Sequence, residues 1–148
     1  MINYLTSRLL TVVDGKINKA EVIKLLADMI SENTDGVENK ELFLERLFQR
    51  EEVGTTGIGM GIVVPHARCE SLNKIVMALA LLKNPIEFNT PDGVDAKLVI
   101  LVGAPKNNNK EYLDLLAKIA RNFREKGYRE NILEASSKEE LIEALSGI

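Results

Sequence analysis

The chain has 148 residues, 45% apolar and 28% charged, with a net charge of −3. That is the composition of one ordinary globular domain over 1–148, large enough to need neither disulfide nor structural metal. So mild a charge gives no electrostatic case for nucleic acid or direct membrane insertion, and a chain without Trp offers few platforms for base stacking. One cysteine, Cys69, and one histidine, His66, exclude an internal disulfide and the usual zinc ligand sets. No metal or cofactor is expected. With no basic-then-apolar leader and no membrane-length apolar run, a cytoplasmic protein is expected.

The predicted elements begin with a helix. Asn18-x-x-Glu21 reads as a capping box, followed by Val22, Ile23, Leu26, Met29 and Ile30 at helical spacing and ended near Gly36. A second helix is predicted from about Asn39 to Arg50, with Phe43, Leu44, Leu47 and Phe48 on its apolar face. Gly54, Gly57, Gly59 and Gly61 then rule out helix, and Ile62 to Val64 are strand-like. The apolar run between Lys74 and Lys83 predicts a strand buried on both faces, stopped by Asn84-Pro85. Pro91-Asp92-Gly93 is a turn, and Leu98 to Val102 a further buried strand closed by Gly103-Ala104-Pro105. The remainder is helical. Asn108-x-x-Glu111 reads as a second capping box, with Leu113, Leu116, Ile119, Ala120 and Phe123 along one face and Gly127 as the stop. A short helix is expected over Tyr128 to Ala135, and Ser137-x-x-Glu140 caps the last. The order predicts an α/β fold, helices packed on a mixed β-sheet.

The chemistry concentrates around His66. The glycine series before it is not a dinucleotide fingerprint, because Ile62 stands where the third glycine belongs and a strand follows. It lacks the Gly-Lys-Ser/Thr of a P-loop. Two readings stay open, a tightly turned connection or a nest of backbone N–H groups for an anion. Pro65 restrains the chain before His66, and small Ala67 leaves room beside it. A neutral imidazole, with an unperturbed pKa of about 6.5, is nucleophilic near neutral pH. An adjacent arginine would lower that pKa and stabilise an added phosphoryl group, which makes Arg50 and Arg68 candidates. Cys69 is expected to be a small buried thiol. Lys118, Arg121, Arg124, Lys126 and Arg129, interleaved with Glu125 and Glu130, form a solvated helix face or a docking surface.

The run Gly57-Ile58-Gly59-Met60-Gly61-Ile62-Val63-Val64-Pro65-His66-Ala67-Arg68 resembles the active-site signature of the mannitol/fructose-type (type 2) EIIA domain of the bacterial sugar phosphotransferase system. The nitrogen-regulatory EIIA proteins share it. Arg50-Glu51-Glu52-Val53-Gly54-Thr55-Thr56, Asn84-Pro85-Ile86-Glu87-Phe88, Pro91-Asp92-Gly93 and Gly103-Ala104-Pro105 extend the likeness over nearly the whole chain. The resemblance implies a helix-sheet-helix domain. It also implies a phosphocarrier that accepts a phosphoryl group from phospho-HPr on His66 and passes it to an EIIB cysteine, with Arg50 as the matching arginine. On this reading His66 attacks through Nε2, its Nδ1–H held by an acceptor such as a backbone carbonyl. The phosphoryl oxygens are held by Arg50, loop N–H groups around Thr56, Gly57 and Gly59, Tyr112 and Arg68.

Two positions depart from the pattern. Val63 stands where alanine is usual, and Tyr112 where many members carry a second histidine. A tyrosine there donates one hydrogen bond to a phosphoryl oxygen or packs as an ordinary aromatic, and it carries no positive charge. The departure tilts the expectation toward an atypical phosphoryl donor or toward the regulatory branch, in which phosphorylation of His66 adds about −1.5 to −2 charge and controls binding to a regulatory protein partner. A third reading is a binding domain that has lost phosphotransfer, against which the intact His66 and Arg50 count.

Overall fold

The computed structural model describes residues 2–146. Two long apolar segments make the centre of the sheet, β5 (Val76–Ile86) and β6 (Ala96–Pro105), which pair antiparallel. Alternate residues of a strand point to opposite faces. Met77, Leu79 and Leu81 therefore enter one apolar layer while Ala78, Ala80 and Leu82 enter the other. Both faces are covered, which is why the sequence of β5 reads as a continuous apolar run.

The remaining strands extend this pair. β1 (Leu10–Val13) lies parallel to β5, and β3 (Ile62–Val63) and β4 (His66–Cys69) both lie parallel to β6. β2 (Gly57–Gly59) is antiparallel to β3 at the sheet margin, giving the order β1-β5-β6-β3-β2, with β4 alongside β6. α1 (Lys19–Asn33) and α2 (Lys40–Val53) cover one face through Val22, Ile23, Leu26, Ile30, Phe43 and Leu47. α3 (Lys110–Arg124), α4 (Lys126–Leu133) and α5 (Lys138–Leu145) cover the other through Leu115, Ile119, Phe123, Ile132, Leu141 and Leu145. The mixed sheet flanked by helices is the expected α/β class, in helix-sheet-helix layers.

Two of the three expected caps form, at Asn18 and Ser137, and Asn39 adds one that was not expected. Asn18 accepts from the Glu21 amide at 2.8 Å while Glu21 accepts from the Asn18 amide at 3.0 Å, a reciprocal box. Asn39 caps α2 through the Leu42 amide, and Ser137 caps α5 through the Glu140 amide. The box expected at Asn108 does not form. α3 starts at Lys110 behind Asn109, and Asn108 donates to the Glu111 carboxylate, side chain to side chain. Gly127 is not the stop of α3 either. The helix ends at Glu125, whose extended backbone breaks the ladder, and Gly127 lies inside α4. Arg129 belongs to this corner, donating to the carbonyls of Phe123 and Arg124 at the end of α3. Lys118, Arg121, Arg124 and Lys126 are exposed.

The strands differ from expectation as well: β2 and β4 are additional, and β6 is not closed by Gly103-Ala104-Pro105 but runs through them, because all three pair with β4. β5 runs on through Asn84-Pro85 to Ile86, because its pairing with β6 shifts register between Leu81 and Ile86 and the irregularity accommodates the proline. β1 was not expected, being only four residues without a strong periodic signature.

A candidate active site at the start of β4

The glycine series folds as a hairpin. β2 and β3 pair across Met60-Gly61, both with positive φ (58° and 84°), the requirement of a tight two-residue turn of the right twist. Met60 is held there by its amide donating to Asp92 Oδ2 at 2.8 Å. Of the two open readings of the glycines, the tight turn is the observed one.

β3 and β4 are two stretches of one track along β6. Ile62 faces Leu98, Val63 faces Val99 and His66 faces Val102, and the Pro65 carbonyl between them accepts from the Val102 amide at 3.0 Å. His66 is thereby the first residue of β4, half-buried, with its backbone pinned on a central strand. Its Nδ1 lies 2.7 Å from the Val64 carbonyl oxygen. A carbonyl only accepts, so Nδ1 carries the proton of the neutral ring and Nε2 keeps its lone pair. Burial pushes the imidazole pKa down, the Val64 carbonyl pushes it up, the Arg50 guanidinium lowers it and the Glu51 carboxylate raises it, with a net fall below the ordinary value. At neutral pH the ring is an uncharged nucleophile.

His66 lines an open cleft of about 570 Å³ between α2, β4 and the start of α3. Arg50 enters from α2, its Nη1 donating to the Gly54 carbonyl at 3.1 Å, which holds the guanidinium at the helix end. Arg68 enters from β4. It donates to Asn109 Oδ1, and its guanidinium carbon lies 5.9 Å from the centre of the Tyr112 ring. Tyr112 lies across the cleft, its ring centre 6.1 Å from that of His66. Burial raises the Tyr112 hydroxyl to about 12 against the opposing pull of Arg68 and Arg50, so it remains a neutral donor.

The sequence had not singled out Arg46, Gln49 or Lys106, which also line the cleft. Arg46 and Arg50 share one face of α2 by their i, i+4 spacing, a signal legible once α2 is known to face His66. Glu70 pairs with Arg46 at 3.1 Å and with Lys106 at 3.7 Å. Val53 and Leu113, both at the cleft, are exposed apolar side chains at its rim.

Thr56, Gly57 and Gly59 are not among the lining residues. The buried Thr56 hydroxyl turns to Glu51 Oε2 at 2.6 Å, and its carbonyl accepts from the Val64 amide. Gly57 packs closely against Pro91, and Gly59 borders a separate cleft with Met60 and Phe123. Cys69 is buried as expected, with Ser71 Oγ 3.1 Å from its sulfur. Among the described residues no group of three or more His, Cys, Asp or Glu is placed to hold a metal ion, and no helix is long and apolar enough to cross a membrane.

Residues 4–147 match the family described as phosphoenolpyruvate-dependent sugar phosphotransferase system, EIIA 2. The chain belongs to that family. This EIIA 2 chain is 38% identical over 111 residues to a nitrogen regulatory protein of Bradyrhizobium diazoefficiens, covering 74% of this chain and 71% of the relative. It is 29% identical over 140 residues to the fructose-specific EIIA component of Haloferax volcanii, covering 95% and 90%. The crystal structure of nitrogen regulatory protein IIA-Ntr from Neisseria meningitidis superposes on the EIIA 2 chain with a TM-score of 0.83 at 27% identity, over 97% of each chain. Sugar-specific and nitrogen-regulatory relatives thus share its family and fold. As an EIIA 2 protein it is a component of a phosphotransferase system.

Proposed function

We propose that the chain, as one EIIA 2 domain over 1–148, is a cytoplasmic phosphocarrier whose His66 Nε2 takes a phosphoryl group from phospho-HPr and passes it to an EIIB cysteine. The observation that carries the reading is the 2.7 Å contact between His66 Nδ1 and the Val64 carbonyl. It fixes the tautomer and leaves Nε2 as the nucleophile. The Nε2 lone pair forms the bond to phosphorus as the bond from phosphorus to the donor breaks. Little covalent work remains for the protein beyond holding charge on the equatorial oxygens. Arg50 and Arg68 supply fixed positive charge, and the Tyr112 hydroxyl, which makes no hydrogen bond to the described residues, supplies a neutral donor. Transfer between protein side chains requires no metal.

A second reading shares the same site. The 38% identical nitrogen regulatory relative and Tyr112 in place of a second histidine support a module whose phosphorylation state governs binding to a regulatory protein. Incubation with phosphoenolpyruvate, enzyme I and HPr tests the shared core. An acid-labile, base-stable phosphoryl group is expected on the wild-type chain and none on His66→Ala. Undiminished labelling of His66→Ala overturns the assignment. Transfer of the label to a cognate EIIB then favours the sugar-system reading, and its absence favours the regulatory one.

A further inference from the structure

Glu51 follows Arg50 on α2, but its side chain turns into the protein and is 5% exposed. Its Oε1 lies 2.9 Å from Lys19 Nζ, and its Oε2 accepts from the Thr56 hydroxyl at 2.6 Å. Lys19, the first residue of α1, is fixed in turn by its ammonium lying 4.8 Å over the Phe88 ring. Burying a carboxylate is costly even when it is paired, and removing one partner of such a pair more so. A charge kept at this depth beside a reacting histidine therefore invites a role.

The hydrogen bonds lead from Glu51 to that histidine. The Thr56 hydroxyl donates to Glu51, the Thr56 carbonyl accepts from the Val64 amide at 2.9 Å, and the Val64 carbonyl holds His66 Nδ1 at 2.7 Å. We propose that Glu51 is a positioning residue of the phosphoryl-transfer site, anchoring through Thr56 and Val64 the frame that holds the His66 imidazole and setting a negative charge against the Arg50 guanidinium. Its purpose rests on the phosphocarrier reading; its geometry does not.

The balance of charge gives the unit its function. Arg46 and Arg50 of α2, Arg68 of β4 and Lys106 beyond β6 all present positive charge to the cleft, and Tyr112 of α3 is neutral. Arg46 and Lys106 are already paired with Glu70, and Arg50 is the cation that lowers the basicity of His66; unopposed, it would hold an attached phosphoryl group too firmly for onward transfer. A carrier must bind the group in transit without trapping it. The Glu51 carboxylate, turned into the protein toward Lys19 and Thr56, raises the His66 pKa and so opposes the pull of Arg50 on the ring. Lys19 in turn offsets part of the Glu51 charge.

His66 is the only histidine, so its titration is read without ambiguity by ¹H–¹⁵N NMR of the full chain. Glu51→Gln is expected to lower the His66 pKa, because the offsetting charge is lost. Lys19→Met is expected to raise it, because the Glu51 charge is then less compensated. Glu52→Gln, one residue away and exposed, is expected to leave it where it is. A purely structural role for Glu51 would not move the two variants in opposite directions. The proposal is overturned if Glu51→Gln leaves the pKa unchanged, or if Lys19→Met fails to raise it. Should circular dichroism show Glu51→Gln unfolded, Lys19→Met decides alone. None of these titrations involves phosphorylation, so they stand or fall apart from the labelling experiment.

Discussion

Arg50→Met removes the cleft guanidinium while keeping most of its aliphatic stem. In the structure Arg50 makes one side-chain hydrogen bond, to the Gly54 carbonyl at a half-exposed helix end, so the fold should survive the change. The chemistry should not. One fixed donor aimed at developing oxyanion charge is worth about 10²–10³ in rate, or about 2.7–4 kcal/mol. Arg68 and Tyr112 remain and place the expected loss near the lower figure, about 10²-fold in transfer from phospho-HPr. Arg50→Lys keeps the charge without the planar fork and should fall between. The same substitution has a second signature, since Arg50 lowers the His66 pKa and its removal should raise it. Rapid-quench transfer of labelled phosphoryl groups gives the rate, and the NMR titration gives the pKa. A rate within about threefold of wild type, with the pKa unmoved, would refute Arg50 as the charge that faces the phosphoryl group.

Tyr112→Phe deletes the hydroxyl from the cleft and should slow phosphotransfer by a few-fold, about 1 kcal/mol for one neutral hydrogen bond; unchanged rates would leave Tyr112 a packing residue. A Cβ at residue 103 would lie 2.6 Å from the Phe43 ring and 2.7 Å from Leu72, so Gly103→Ala should destabilise the domain by about 1–3 kcal/mol in urea unfolding. The folded His66 pKa lies below the unfolded value of about 6.5. The unfolded chain therefore takes up this proton first, so the His66 contribution to stability is full above about 6.5 and declines as pH falls below it. Comparing wild type with His66→Gln between pH of about 7.5 and about 5.5 isolates that slope; equal slopes would contradict a depressed pKa.

Much of the fold was legible because its signals are local. The reciprocal Asn18–Glu21 box and the two-sided apolar run of β5 each carry their structure within a few residues. The box expected at Asn108 failed because its two side chains satisfy each other, a competition the motif does not encode. Gly127 misled because the α3–α4 corner is made by an extended Glu125 and closed by Arg129, without need of a left-handed residue. Pro85 misled because a register shift lets a strand pass through it.

The site divides in the same way. His66, Arg50, Arg68 and Tyr112 converge on one cleft, whereas Gly57 and Gly59 serve the hairpin that brings β3 to β6. Glu51 went unread because its partners come from α1 and from the loop after α2, and nothing in Arg50-Glu51-Glu52 tells which carboxylate turns inward. Lys106 and Arg46 join the cleft only through the sheet's pairing of β4 with β6 and the packing of α2 above it.

The most direct test is to phosphorylate the chain, ¹⁵N-labelled in its single histidine, with phosphoenolpyruvate, enzyme I and HPr, and to read which ring nitrogen couples to phosphorus. Coupling to Nε2, with Nδ1 still protonated against the Val64 carbonyl, is the predicted result. Coupling to Nδ1, or a chain that takes up no phosphoryl group at His66, would contradict the account.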